Sequence, residues 1–331
     1  MSAAPLLEVG RLTISFPASG GPALAVREAS FALRAAEVVA LVGESGSGKT
    51  LTALAILGLL PAAARLESGT IRLGGEELLG RPESELRAIR GRRIAMVFQE
   101  PRSALNPVLD LETQIAEAVR AHSPVDRQAA RKRALELLDL LRMPDAARRL
   151  KAYPHELSGG QRQRAMLAVA LAAGPELLLA DEPTTALDLP LELEVLQVLA
   201  RLREELGVAI LWITHDLQAV AELSDRVLVM HAGEVVEQGP TAKLLAAPLH
   251  PYTRALLAAL PRFAGAPGRG PLPTLPGQAP SPEARPAGCA FHPRCAAVLE
   301  RCRSERPGWH EPAPGHGALC WLLAPVAEQA G

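Results

Sequence analysis

The stretch Gly43-Glu44-Ser45-Gly46-Ser47-Gly48-Lys49-Thr50 fits G-x-x-x-x-G-K-[ST]. Glycines at this spacing let successive backbone N–H groups turn toward phosphate oxygens. The lysine adds a point charge for the β- and γ-phosphates, and the threonine hydroxyl offers a ligand to Mg²⁺. A second group, Asp181-Glu182, ends the apolar run Leu177-Leu178-Leu179-Ala180. The first carboxylate can hold Mg²⁺ opposite Thr50, and the second is placed to take a proton from an attacking water. A third, Leu157-Ser158-Gly159-Gly160-Gln161, reads as a helix start. Ser158 is an N-cap with Gln161 three residues on, as in a capping box. The two glycines leave the first-turn N–H groups open to an anion.

The four cysteines, Cys289, Cys295, Cys302 and Cys320, fall in the last 43 residues, separated by five, six and seventeen residues. Clustered thiols without the C-x-x-C knuckles of structural zinc suit an iron–sulfur cluster, with zinc or free thiols as the alternatives. His292, His310 and His316 can each replace a cysteine in a zinc site.

These residues need elements to hold them. Val38–Val42 is a buried parallel-strand run that feeds the glycine loop, and a helix is expected from Leu51 to Leu60, ended by Pro61. Residues 6–34 and 69–73 read as short alternating strands with turns at Gly20-Gly21 and Gly74-Gly75. Residues from about 100 to 165 read as helical, with Asp126 capping Arg127–Leu141. Strands at 177–180, 208–213 and 227–230, separated by helices, make a parallel core sheet. Residues 261–288 are rich in Pro and Gly and read as an extended segment.

The chain has 331 residues, 48% of them hydrophobic, and a net charge of −1. A full core is easily built, and no basic patch points to nucleic acid. No apolar stretch is long enough to span a bilayer, and Met1–Leu12 does not read as a signal peptide. The expected location is therefore the cytoplasm, with any membrane association made through a partner.

Glycine loop, Leu157–Gln161, then Asp181-Glu182 is an order that resembles the ATP-binding-cassette (ABC) ATPases. The resemblance covers most of the chain. It implies an α/β fold: an ABC-type P-loop ATPase with a parallel core sheet, an antiparallel β subdomain and an α-helical subdomain. It implies ATP and Mg²⁺ as ligands, with Gly43, Glu44, Ser45, Gly46, Ser47, Gly48, Lys49, Thr50 and Asp181 around the nucleotide. Gln99 resembles the family's Q-loop glutamine, which touches Mg²⁺ or the attacking water. His215 resembles the switch histidine at the γ-phosphate, and Phe16 the aromatic that stacks on adenine. Ala186-Leu187-Asp188 resembles the loop that crosses to the opposing subunit. By the same resemblance, Leu157–Gln161 and Asp188 serve the nucleotide on a partner's loop, so each site is shared between subunits.

The interval from Lys49 to Ser158 is too short for the coiled-coil insertion of ABC ATPases that tether or repair DNA. His250-Pro251-Tyr252-Thr253-Arg254-Ala255-Leu256-Leu257 and Phe291-His292-Pro293-Arg294-Cys295 resemble the ATPases of oligopeptide and dipeptide importers. That resemblance implies a nucleotide-binding domain over 1–250 and a C-terminal Pro/Gly-rich extension over 251–331 whose cysteines hold a [4Fe–4S] cluster, zinc being the alternative. It implies peptide import as the function, at the cytoplasmic face of the inner membrane. The partners would be a paralogous second ATPase, two transmembrane permeases and an extracytoplasmic solute-binding protein. Gly43–Gly48 and the segment Phe98-Gln99-Glu100-Pro101 with Leu105-Asn106-Pro107 resemble the first ATPase of such a pair. Import of nickel, a glycoside or an opine, and a soluble ABC ATPase that does not transport, remain as alternatives.

Overall fold

The computed structural model describes residues 4–98, 104–184, 189–260 and 275–325. Gln99, Glu100, Pro101 and the loop Ala186–Asp188 lie outside the described residues. The chain divides into two compact units. One comprises Met1–Ala4, Leu33–Val38 and Leu78–Ile213; the other comprises Pro5–Ala32, Val39–Glu77 and Thr214–Gly331.

In the second unit, β1 (Leu7–Phe16) and β2 (Ala23–Leu33) begin a four-stranded sheet. After β3 (Val38–Val42), that sheet continues with β4 (Arg65–Leu73) and β5 (Glu76–Glu77), in the order β2-β1-β4-β5. β1 and β4 run antiparallel, with Leu7 opposite Leu73 and Val9 opposite Ile71. These four side chains are buried, as alternation on a one-sided sheet requires. β3 is buried along its whole length and delivers the chain to the glycine loop. The helix that follows is shorter than its sequence suggests, Lys49–Ile56. Gly58, at φ 64°, ends it before Pro61. The Gly58 N–H reaches Ala55 O and the Leu59 N–H reaches Leu54 O, a Schellman pair that the glycine makes possible.

The first unit carries three parallel strands, β6 (Ile94–Val97), β7 (Leu177–Asp181) and β8 (Ala209–Thr214), with β7 in the middle. β7 and β8 are buried at every position, which suits a parallel sheet covered on both faces. Its helices include Leu111–His122, Arg127–Leu140 and Gly159–Ala170. Asp110 and Asp126 cap the first two, accepting from the Thr113 and Ala129 N–H groups. Ala130, Ala134, Leu137 and Leu138 form the buried stripe of the second, at the spacing the sequence shows.

The second unit ends with β9 (Arg226–His231), β10 (Glu234–Pro240), β11 (Trp309–Ala313) and β12 (His316–Leu319). β9 runs parallel to β3, but β10, β12 and β11 add on antiparallel. The sheet is therefore mixed, where the sequence reading expects a parallel one. β10 and the β11–β12 hairpin have no strong local signal. Pro240 and Pro312 interrupt their strand character, and their pairing is decided by partners far along the chain. The C-terminal segment adds buried residues of its own: Ala290, Phe291, Cys302, Ala318 and Cys320.

Candidate functional site

The glycine loop turns at three positions that only glycine takes easily: Gly43 at φ 155°, Gly46 at 77° and Gly48 at 101°. At Gly43 the constraint is also steric, since a Cβ there would lie 2.0 Å from Met230 O. Lys49 is buried, and its Nζ donates to Gly43 O at 2.9 Å and Glu44 O at 3.0 Å. This closes the loop into a ring around the lysine. Ser47 is buried too, and its Oγ has no hydrogen-bond partner among the described residues. An orphaned buried hydroxyl in the same glycine-rich loop as a buried ammonium is a place where phosphate oxygens fit. Thr50 stands exposed at the first turn of the helix, where its hydroxyl can reach a metal ion.

Phe16 and His215 lie in the same unit as this loop. Phe16 is half-buried at the end of β1, so its ring is available to stack. His215 is exposed in the turn after β8, between Thr214 and Asp216. Asp216 fixes that turn: its N–H reaches Thr214 Oγ1, and its carboxylate caps the helix Leu217–Leu223.

Asp181, Glu182 and the Ser158 helix lie in the other unit. Asp181 is buried at the end of β7, and a carboxylate that far from water requires donors or a cation. Glu182 has φ 47°, an uncommon value for a residue with a Cβ. Its N–H is fixed to Ile213 O at 2.9 Å. The left-handed turn at Glu182 ends the regular strand geometry directly after Asp181. The capping box is present as expected, with the Gln161 N–H donating to Ser158 Oγ at 3.3 Å and the Ser158 N–H to Gln161 Oε1 at 3.0 Å. The two glycines differ in their reasons. A Cβ on Gly159 would meet open space, which leaves the helix start clear. One on Gly160 would lie 2.4 Å from Leu191 Cδ1, so that glycine serves packing as well. Leu157 is buried and anchors the segment.

All four cysteines are free thiols. Burial is the first cause that pushes Cys289 up to about 12 and Cys320 up to about 11, and the other thiols add to it. Cys295 is raised in the same way, with Cys302 contributing. The four thiols therefore lie within one another's electrostatic reach. Even so, among the described residues no three His, Cys, Asp or Glu side chains converge as a metal-binding group. The expected iron–sulfur or zinc cage is not preformed in this arrangement of side chains. The donor chemistry fits such a group, but the positions would have to close. His316 is committed elsewhere: its Nε2 lies 2.9 Å from Glu237 Oε1. His292 Nδ1 lies 3.0 Å from Cys289 O, and His310 packs against Trp321.

Residues that the sequence marks only as parts of family-like segments, with no site role, reach the glycine loop from the C-terminal segment. Arg294 pairs with Glu44 through both guanidinium Nη atoms, and Tyr252 accepts the Glu44 N–H. Glu237, fully buried in β10, accepts from the Leu249 and His250 N–H groups at 2.8 Å each. No spacing rule links positions so far apart. The signal in the sequence was the resemblance of His250–Leu257 and Phe291–Cys295 to the peptide-importer ATPases, which gives these residues no contact with the loop.

Residues 26–185 match the family profile described as ABC transporter, and residues 236–302 match that of the oligopeptide/dipeptide transporter C-terminal region. The chain is 48% identical over 307 residues to a peptide import ATP-binding protein of Brucella abortus (strain 2308), spanning 93% of this chain and 92% of that one. It is 42% identical over 315 residues to the dipeptide transport ATP-binding protein DppD of Escherichia coli (strain K12), spanning 95% and 96%. Among solved structures, the fold is similar to the ATP-binding cassette MJ0796 in a dimeric post-hydrolysis state bound to ADP and Pi. The TM-score is 0.64 and the identity 28%, covering 71% of this chain and 98% of that one.

Proposed function

This chain belongs to the ATP-binding proteins of ABC peptide importers, and from that membership we propose how its residues divide the work. It is the ATP-hydrolysing subunit that powers import of di- or oligopeptides. Residues 1–250 form the nucleotide-binding domain, with a helical subdomain over about 100–165, and 251–331 form the extension. The Gly43–Thr50 loop binds the phosphates, Lys49 neutralises the β- and γ-oxygens, and Phe16 stacks on adenine. Thr50, Asp181 and Gln99 would hold Mg²⁺, which when bound would supply electrostatic stabilisation of the charge that develops on the phosphate. Glu182 takes the proton of the attacking water, and His215 positions the γ-phosphate. The Ser158 helix start and Asp188 cover the nucleotide on a second subunit's loop. Their contribution is positioning and electrostatics, which is what phosphoryl transfer asks of a protein.

The observation that carries this reading is the loop itself. Gly43 admits no side chain, Lys49 is held at its centre, and the buried Ser47 Oγ has no hydrogen-bond partner among the described residues. Glu182→Gln tests it: ATP binding is retained while hydrolysis falls by about 10²- to 10⁴-fold. A normal rate removes Glu182 as the base. The cargo is read from the C-terminal extension. In vesicles carrying the assembled transporter, peptide uptake supports the reading. Uptake of nickel, a glycoside or an opine in its place overturns it.

The finer assignments follow the same membership. The chain works at the cytoplasmic face of the inner membrane with a paralogous second ATPase, two permeases and a solute-binding protein. Among its described residues, no helix is long and apolar enough to cross a membrane. Cys289, Cys295, Cys302 and Cys320 hold an iron–sulfur cluster that staples the extension. The support is four free thiols in mutual reach; at Cys289, Cys295 and Cys320 burial raises the proton affinity, and a bound cation would relieve this. Protein purified without oxygen should show the broad visible absorption of iron–sulfur centres. Colourless protein with stoichiometric zinc defeats this assignment.

A further inference from the structure

Glu44 is the one acidic residue in the loop Gly43–Thr50. A carboxylate there works against a polyphosphate, because like charges in one site repel. The C-terminal segment answers that charge. Arg294 Nη1 lies 2.7 Å from Glu44 Oε2 and Nη2 lies 2.8 Å from Oε1, a bidentate pair. Its third edge is also used, with Nε donating to Pro276 O at 2.8 Å. The Arg294 side chain is 6% exposed, and Glu44 28%. The fork is therefore fixed in place.

The grip extends to the backbone. The Glu44 N–H donates to Tyr252 Oη at 3.0 Å, and the Glu44 carbonyl accepts from Lys49 Nζ at 3.0 Å. Tyr252 is buried against His231 and Phe291, and Phe291 in turn lies in the turn that presents Arg294. The side chain and N–H of one loop residue are thus held by the extension, while its carbonyl holds the phosphate-binding lysine.

We propose that Arg294, assisted by Tyr252, is a positioning residue for the phosphate loop: it cancels the Glu44 charge and fixes the Gly43-Glu44 backbone, so that the C-terminal extension sets the affinity for ATP. The proposal rests on the reading of Gly43–Thr50 as an ATP site. Arg294 does not touch the nucleotide. Its effect passes through Glu44.

The experiment measures ATP and ADP affinity by competition against a fluorescent ATP analogue with Mg²⁺ present, alongside thermal melting. Arg294→Ala leaves Glu44 uncompensated and weakens ATP about tenfold, with a smaller loss for ADP, which carries less charge. Glu44→Gln alone binds ATP at least as tightly as wild type, and Glu44→Gln combined with Arg294→Ala recovers most of the lost affinity. A pair that only fastens the extension to the loop gives the opposite pattern. Both single variants would then melt lower, ATP affinity would be unchanged in Arg294→Ala, and the double variant would recover nothing; that result overturns the proposal. If Arg294→Ala does not fold, Glu44→Gln decides alone, because a tenfold loss of ATP affinity in that variant is incompatible with charge cancellation. Wild-type protein that binds no ATP removes the functional reading itself. Wild-type and Arg294→Ala protein that bind ATP equally remove only this inference.

Discussion

His231 has no exposed surface and lies beside the glycine loop, its Nδ1 3.8 Å from Glu44 Oε2. Burial is the first cause that depresses it to about 4 from an ordinary 6.5; Glu44 opposes the shift, while Arg294 and Arg285 favour it. It packs on Tyr252 and Phe291, and His250 nearby is depressed by burial to about 3. Arg294 holds the Glu44 carboxyl below its usual range. The consequence for stability has a definite sign. Between pH 6.5 and about 4 the unfolded chain takes up a proton at this histidine that the folded chain refuses. Stability from this site is therefore complete above pH 6.5 and is lost as the pH falls toward 4. Glu44 adds to the loss lower down, where its carboxyl protonates and releases Arg294. Melting temperature should decline across this window, and His231→Phe, which keeps an aromatic ring but cannot take up the proton, should flatten the decline. Parallel declines in the two proteins would show that the slope originates elsewhere.

Glu237 shows what an element can owe to one buried carboxylate. It sits in β10 with no exposed surface, accepts from two backbone N–H groups at Leu249 and His250, and faces His316 on β12. One side chain thereby fixes both the start of the helix Pro251–Ala258 and the edge hairpin. Glu237→Ala would leave buried donors without an acceptor, at a cost of about 3 kcal/mol in urea unfolding. Glu237→Gln, which keeps one acceptor oxygen, should lose less; equal losses would mean that packing volume, not hydrogen bonding, sets the penalty. None of this network was legible in the sequence, and the reason is distance along the chain. The Ser158 capping box, the Asp126 cap, the Gly43–Thr50 turns and the buried run Leu177–Asp181 were legible because each is decided within a few residues. The Glu237–His316 pair and the Arg294–Glu44 pair join positions that no periodicity connects. Their residue types are those of any solvated loop. The helix after the glycine loop ends earlier than its sequence suggests for a related reason: Pro61 is the louder breaker in the sequence, but Gly58 satisfies the open carbonyls first.

At the scale of the whole molecule the question is which subunit's nucleotide the Ser158 helix serves. The helix start is exposed at Ser158 and Gly159, with a Cβ on Gly159 meeting nothing. Its first-turn N–H groups and positive end are thus presented outward, as an anion on another molecule would need. The similar ATP-binding cassette MJ0796 is dimeric in its post-hydrolysis state bound to ADP and Pi. A covering role in trans makes an asymmetric prediction that a role in cis does not. Ser158→Arg removes the cap, costing about 1 kcal/mol of helix stability, and places a long cation where the partner's γ-phosphate would dock. ATP affinity of the isolated chain should stay within about twofold of wild type, well under the tenfold step of 1.4 kcal/mol, because its own loop is untouched. Hydrolysis in the assembled transporter should fall sharply, since the nucleotide on the other subunit loses its cover. Ser158→Ala separates the two causes: it loses the cap without adding bulk or charge, so it should keep most of the hydrolysis. If Ser158→Arg instead weakens ATP binding to the isolated chain as strongly as it slows turnover, the helix serves the loop of its own subunit and the shared-site arrangement is wrong.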